Sequence, residues 1–230
     1  MAARRYKKPD LRELPAYSVA EASRYLNVPQ ATVRYWATGR DNYAPLISIP
    51  TGKPTLLSFI NLAELHILAA IRRKYTVRMP KVRAAIDYLK KITIKPFDQK
   101  YPLISEQLET DGLDLFTERF GALLNISQDG QITVRELMSA ALHRIERDVQ
   151  GVPIKLFPFT RNDIVQAPEF IVIDPALSAG RPVIAGTGLA TEIIAERYKA
   201  GESIEDLARD YERTNEEIQE AVRCELQAAA

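Results

Sequence analysis

Five times along this 230-residue chain a small polar residue stands three positions ahead of an acidic one where a helix-spaced stretch begins. The pairs are Ser18 and Glu21, Asn61 and Glu64, Thr133 and Glu136, Ser203 and Asp206, and Thr214 and Glu217. Each has the spacing of a capping box, in which the polar side chain accepts the backbone N–H of the acidic residue and the acid reaches back to the cap. These spacings predict helices that begin at these points, with any strands fitted between them.

The first 16 residues, MAARRYKKPDLRELPA, are charged, carry Pro9 and Pro15 and show no sustained periodicity, which reads as a mobile arm. After Ser18, residues Val19, Ala22 and Leu26 share one face of a helix that ends by Asn27. Asn27-Val28-Pro29 then makes a tight turn, and Pro29 opens a second short helix to about Thr38. Two short helices joined by a tight turn form a helix-turn-helix. In LISIPTGKPTLLSF, two β-prone runs flank Pro50-Thr51-Gly52-Lys53-Pro54, the composition of a hairpin wing. Asn61 and Glu64 open a helix that runs through Leu65, Leu68 and Ile71 to Arg73, and another helix follows from about Pro80 to Lys91.

In the middle region GLDLF and ALLNI read as short strands, QDG as a turn, and Thr133 with Glu136 as the cap of a helix to about Val149. PIKLFPF and EFIVID are two further strand candidates, with a boundary near Ala167 between them. The turn-rich run DPALSAGRPVIAGTG leads into three helices, about Thr191–Ala200, Ile204–Tyr211 and Asn215–Gln227, the first stopped by Gly201. The expected fold is α+β and mainly helical. Its parts are an arm (1–16), a winged helix-turn-helix (17–95), a small α/β middle region (96–167) and a C-terminal trihelical, homeodomain-like domain (168–230).

The overall charge of +1 conceals a division of the chain. Residues 1–95 hold 18 Lys and Arg against 6 Asp and Glu, a balance of +12, while the remainder holds 13 against 24, a balance of −11. A basic head suits a phosphate backbone, whose condensed counterions are released on contact. No run of roughly 18 apolar residues occurs, and the N-terminus lacks the apolar stretch of a secretory signal, so a cytoplasmic protein is expected. Cys224 is the single cysteine and His66 and His143 the only histidines, at spacings that build no metal site. GRPVIAGTG lacks the Lys-Ser/Thr of a phosphate-binding loop, and Asp129-Gly130 lacks the ligand spacing of a calcium loop. His66, between apolar residues, reads as a packed histidine, and no acid, base and nucleophile converge in a recognisable pattern, so neither catalysis nor a cofactor is expected.

A recognition helix sends its outward side chains to base edges while the helix before it crosses the backbone. In PQATVRYW, Val33 and Trp36 should face inward against Ala22 and Leu26, leaving Gln30, Thr32, Arg34 and Tyr35 for the groove. Gln30 suits adenine, Arg34 suits guanine or a phosphate, and Thr32 and Tyr35 suit phosphate oxygens or a thymine methyl. With Ser18 at the head of the first helix, and Arg40 and Lys53 as backbone contacts, these residues are the candidate DNA-binding set.

The stretch from YSVAEASRYLNVPQATVRYW through the following helices, residues 15 to 92, resembles the N-terminal DNA-binding domain of the MerR superfamily. No long heptad helix for a dimerising coiled coil follows it, and no cysteine cluster senses metals. The segment IVIDPALSAGRPVIAGTGLATEIIAERYKAGESIEDLARDYERTNEEIQEAV resembles the domain of unknown function 433 family in its D-P, G-R-P-V-I-x-G-T and A-G-E-S-I-E-D-L-A-x-D-Y stretches. Gly188 stands where that family often has an arginine. The combination resembles a VapB-type antitoxin, which implies a repressor that binds operator DNA as a homodimer and neutralises a PIN-like ribonuclease toxin. A ligand-responsive regulator without a toxin is the alternative. The third helix of the C-terminal unit carries Glu216, Glu217, Glu220 and Glu225, which argues against a second DNA reader and for a protein interface.

Overall fold

A computed structural model describes residues 10–74, 79–105, 108, 134–164 and 167–226. The N-terminal unit is built from strand β1 (Tyr17–Ser18), helix α1 (Val19–Leu26), helix α2 (Gln30–Thr38), strand β2 (Leu56–Leu57), helix α3 (Phe59–Lys74) and helix α4 (Met79–Ile92). The expected cap of α1 is present: Glu21 N–H donates to Ser18 Oγ at 3.1 Å, and Ser18 N–H donates to Glu21 Oε2 at 2.8 Å. Asn27 ends the helix in the left-handed region, and the Ser23 hydroxyl donates to the Val28 carbonyl at 2.6 Å, closing the turn into α2.

Two expectations for this unit are corrected. The run around Pro50–Pro54 forms no hairpin: Leu56–Leu57 pairs antiparallel with Tyr17–Ser18, ahead of the helix-turn-helix, and the wing is an irregular loop. Pro50 and Pro54 have no N–H for a ladder, and the Asn61 amide takes the Ser48 carbonyl at 2.7 Å, so the two runs cannot pair. Helix α3 begins at Phe59 rather than after Asn61, because Ser58 is its cap. Asn61 N–H donates to Ser58 Oγ at 3.2 Å, and Ser58 N–H donates to Asn61 Oδ1 at 3.1 Å. This earlier start puts Phe59 and Ile60 inside the core, and α3 is buried on all sides as far as Ile71.

Helix α5 (Pro96–Lys100) and a 3-10 turn at Pro102–Ile104 follow, and GLDLF, ALLNI, QDG and the Thr133 cap lie outside the described residues. Helix α6 (Val134–His143) stops well short of Val149, because residues Ile145–Arg147 form strand β3 against β4 (Pro153–Leu156). The Asp148 carboxylate turns the chain between them, accepting the N–H groups of Gln150 at 2.9 Å and Val152 at 3.0 Å. Strands β5 (Ile171–Ile173) and β6 (Pro182–Ile184) extend the same antiparallel sheet in the order β3-β4-β5-β6. Leu156 pairs with Ile173, so a continuous sheet crosses the point near Ala167 where the sequence suggests a boundary.

Helices α7 (Thr191–Lys199), α8 (Ile204–Asp210) and α9 (Asn215–Leu226) complete the C-terminal unit, and both of its expected caps form. Two of the four glutamates of α9 that the sequence assigns to a protein interface are buried within the chain. Glu220 is fully buried and accepts from Arg161 at 2.7 Å, from Thr160 and from Arg223. Glu225, also buried, accepts from the Thr191 hydroxyl at 2.6 Å and pairs with Arg24 of α1 at 3.0 Å. The helix-turn-helix thus packs directly on the C-terminal unit, a contact continued by the Tyr17 hydroxyl donating to the Gly180 carbonyl at 2.9 Å. Gly180 has φ +78°, and a Cβ there would strike that tyrosine oxygen. Residues 10–16, read as arm, are pinned in the same way: Arg12 bridges Asp10 and Asp148, Glu13 pairs with Lys100, and Ala16 N–H donates to the Leu57 carbonyl. Among the described residues no helix is long and apolar enough to cross a membrane.

His66 is packed as expected, stacked on Phe159 with ring centroids 4.7 Å apart and one ring nitrogen 3.2 Å from the Ala141 carbonyl. Burial, reinforced by Arg73 and Arg144, pushes it down to about 3. Two residues earlier on α3, burial pushes the Glu64 carboxyl up to about 8. Native Glu64 keeps a proton that the unfolded chain loses above 4.5, so its contribution to stability falls between 4.5 and about 8. Native His66 does not take the proton that the unfolded chain gains below 6.5, so its contribution falls as pH drops from 6.5 toward about 3. The two slopes oppose each other between 4.5 and 6.5, and Glu64 acts alone above that. Stability is expected to decline from pH 6.5 to 8, and Glu64→Gln is expected to abolish that decline. Urea unfolding across this range checks it; a decline that persists in the variant would assign the effect to other groups.

Candidate nucleic-acid interface

Helix α2 divides cleanly into two faces. Val33, Trp36 and Ala37 are at most 1% exposed and pack with Ala22 and Leu26 of α1 in the common core. On the opposite face Gln30 and Arg34, one turn apart, stand in solvent, and their side chains make no hydrogen bond or ion pair among the described residues. An amide and a guanidinium held on a fixed helix with all their donors open can form bidentate bonds to base edges or phosphates. Thr32 and Tyr35 flank them and are half-buried.

Helix α2 ends at Gly39, whose φ of +75° and close approach to the Tyr43 carbonyl leave no room for a Cβ. The turn that follows is clamped by Arg40 N–H to Tyr43 O at 3.0 Å and Tyr43 N–H to Arg40 O at 2.8 Å. Arg40 is exposed at its tip and pairs with Asp41 at 3.3 Å. Lys53 is exposed on the irregular loop. The Ser18 hydroxyl is engaged in the cap of α1, donating to Glu21 Oε2 at 2.7 Å, which gives that residue a structural task. Four of the seven candidates therefore lie on α2 and Arg40 directly follows it, while Ser18 and Lys53 are set by other elements.

Sequence reasoning missed Tyr43 and Arg83. The Arg83 guanidinium, on α4, sits 5.8 Å from the ring centroid of Tyr35 and 5.5 Å from that of Tyr43. In the sequence Arg83 is only one of many basic residues, and nothing local ties it to a helix 48 residues earlier.

A two-helix unit with one buried and one open, polar face, set in the basic part of the chain, is a helix-turn-helix DNA-binding domain. Residues 15–86 match the family described as "Putative DNA-binding HTH domain", and residues 171–223 match "Protein of unknown function (DUF433)". Two curated relatives come from Mycobacterium tuberculosis. "Putative antitoxin VapB45" is 29% identical, over 91% of this chain and 93% of that protein. "Uncharacterized protein Rv2308" is 26% identical, over 90% of this chain and 88% of that protein. The crystal structure of Rv2018 from the same organism superposes with a TM-score of 0.67 at 30% identity, covering 91% of this chain and 98% of that one. At that identity and coverage, this chain and Rv2018 belong to one family.

Proposed function

We propose that the protein is an antitoxin-like transcriptional regulator that inserts α2 into the major groove of operator DNA in the manner of a MerR-type winged helix. The observation that carries this reading is the open face of α2, where Gln30 and Arg34 stand free above a fully buried Val33 and Trp36. The +12 balance of residues 1–95 supplies the attraction to phosphate. In this reading the protein works in the cytoplasm as a homodimer on a palindromic site, because two half-sites multiply the affinity of one helix-turn-helix. The relative named as an antitoxin supports a toxin partner, for which a PIN-like ribonuclease is the proposed class. No catalytic step is assigned to the chain.

The test is an electrophoretic mobility shift on the DNA upstream of the protein's own gene, at two salt concentrations, with and without the neighbouring gene product. Saturable, salt-sensitive binding that the neighbour alters is the expected result. A shift indifferent to the neighbour would point to a ligand-responsive regulator without a toxin, and no shift at all would overturn the DNA-binding reading.

A further inference from the structure

Beside α2 lies an open concavity of about 480 Å³ lined by Ala31, Thr32, Tyr35, Arg40, Asp41 and Tyr43. Its aromatic walls come from two different segments, one ring on α2 and one on the clamped turn after Gly39, and Arg83 of α4 holds both. Besides lying against both rings, Arg83 donates to the Tyr35 hydroxyl at 3.4 Å. Tyr43 is 52% exposed, an unusual setting for a ring whose backbone is fixed by two hydrogen bonds. Its lining includes three hydroxyl-bearing residues, Thr32, Tyr35 and Tyr43, and one guanidinium, that of Arg40.

Hydroxyl-bearing side chains and the Arg40 guanidinium around an open cleft suit an anion, and the two tyrosines suit the apolar side of a sugar. Asp41 is the one acid in the lining, and it pairs with Arg40 at 3.3 Å. Resting on the DNA-binding reading above, we propose that this cleft grips one backbone phosphate and its sugar beside the groove that α2 enters. Arg40 and Tyr43 make the contact, Arg83 is the positioning residue that holds the tyrosines in place, and Asp41 competes with the phosphate for Arg40.

The full-length protein is titrated by fluorescence anisotropy against two duplexes, its own upstream DNA and one of arbitrary sequence, over a salt series. A backbone grip predicts that Arg40→Ala and Tyr43→Ala weaken both duplexes alike, by on the order of tenfold. Arg40→Ala should also lower the slope of affinity against salt by about one. Asp41→Asn should strengthen binding to both duplexes. Arg83→Lys keeps the charge but not the planar stack, and should weaken both at an unchanged unfolding midpoint, with the salt slope still close to that of the wild type. Wild-type protein that binds both duplexes while Arg40→Ala and Asp41→Asn change neither affinity nor slope would overturn the cleft and leave the DNA-binding reading intact. Losses confined to the upstream duplex would likewise overturn it, in favour of a base contact. Wild-type protein that binds neither duplex would remove the reading and the cleft together.

Discussion

Replacing Gln30 and Arg34 together by alanine is expected to cost on the order of a hundredfold in affinity for the protein's own upstream duplex, since each bidentate base contact contributes about 1–3 kcal/mol. The same change should leave the unfolding midpoint unchanged. Both side chains are exposed and make no bond among the described residues, and alanine is the better helix former at either position. Binding to a duplex of arbitrary sequence should fall far less, because only Arg34 carries charge and only charge is read without sequence. Anisotropy titrations on the two duplexes, with a circular-dichroism melt of the variant, test all three expectations. If the double variant binds the upstream duplex as the wild type does, α2 is not the reading helix. A lowered midpoint would instead mean that the open face is supported by contacts from elsewhere in the chain.

The second large effect concerns stability. Glu220→Ala is expected to destabilise the protein by about 3 kcal/mol, the usual scale for breaking a buried ionic network from one side. Glu220 is fully buried, and its carboxylate gathers the Thr160 hydroxyl, Arg161 and Arg223. Without it the buried Thr160 hydroxyl loses the Glu220 carboxylate, and the segment that follows β4 loses the ion pair of Arg161 with α9. Glu220→Gln keeps an oxygen for Thr160 and should cost about half as much. In a chain of this size the alanine variant should melt about 6–12 °C lower. Urea unfolding of both variants checks the order. An alanine variant within about 0.5 kcal/mol of the wild type would mean that the site collapses or takes in water at little cost.

The same residues show how far side-chain spacing reaches. Ser18 with Glu21, Ser203 with Asp206 and Thr214 with Glu217 all form the caps that their spacing implies, because a cap is closed within four residues and depends on nothing farther away. The buried positions of Val33 and Trp36, and hence the open ones of Gln30 and Arg34, follow from helical period alone. Asn61 shows the limit of such reasoning. Its spacing to Glu64 is also that of a capping box, yet Ser58 takes the cap, since β2 delivers the chain into the core three residues earlier.

Strand partners could not be read in this way. A β-prone run carries no mark of which run it will join, so Leu56–Leu57 was open to pairing across the proline-rich loop or, as found, with Tyr17–Ser18. For the same reason the sheet that carries β4 on to β5 could not be foreseen from two separate strand signals. The acids of α9 read as a charged surface because Thr160, Arg161 and Thr191, which draw Glu220 and Glu225 inward, lie far from them along the chain. Arg83 belongs to the same class, since its place between Tyr35 and Tyr43 exists only once α4 has packed beside α2. Helix starts, helix faces and the basic character of the head are local properties and are written in neighbouring residues. Strand partners, buried charges and the tyrosine cleft are set by packing between distant segments, where the burial of a common core outweighs what any short stretch prefers.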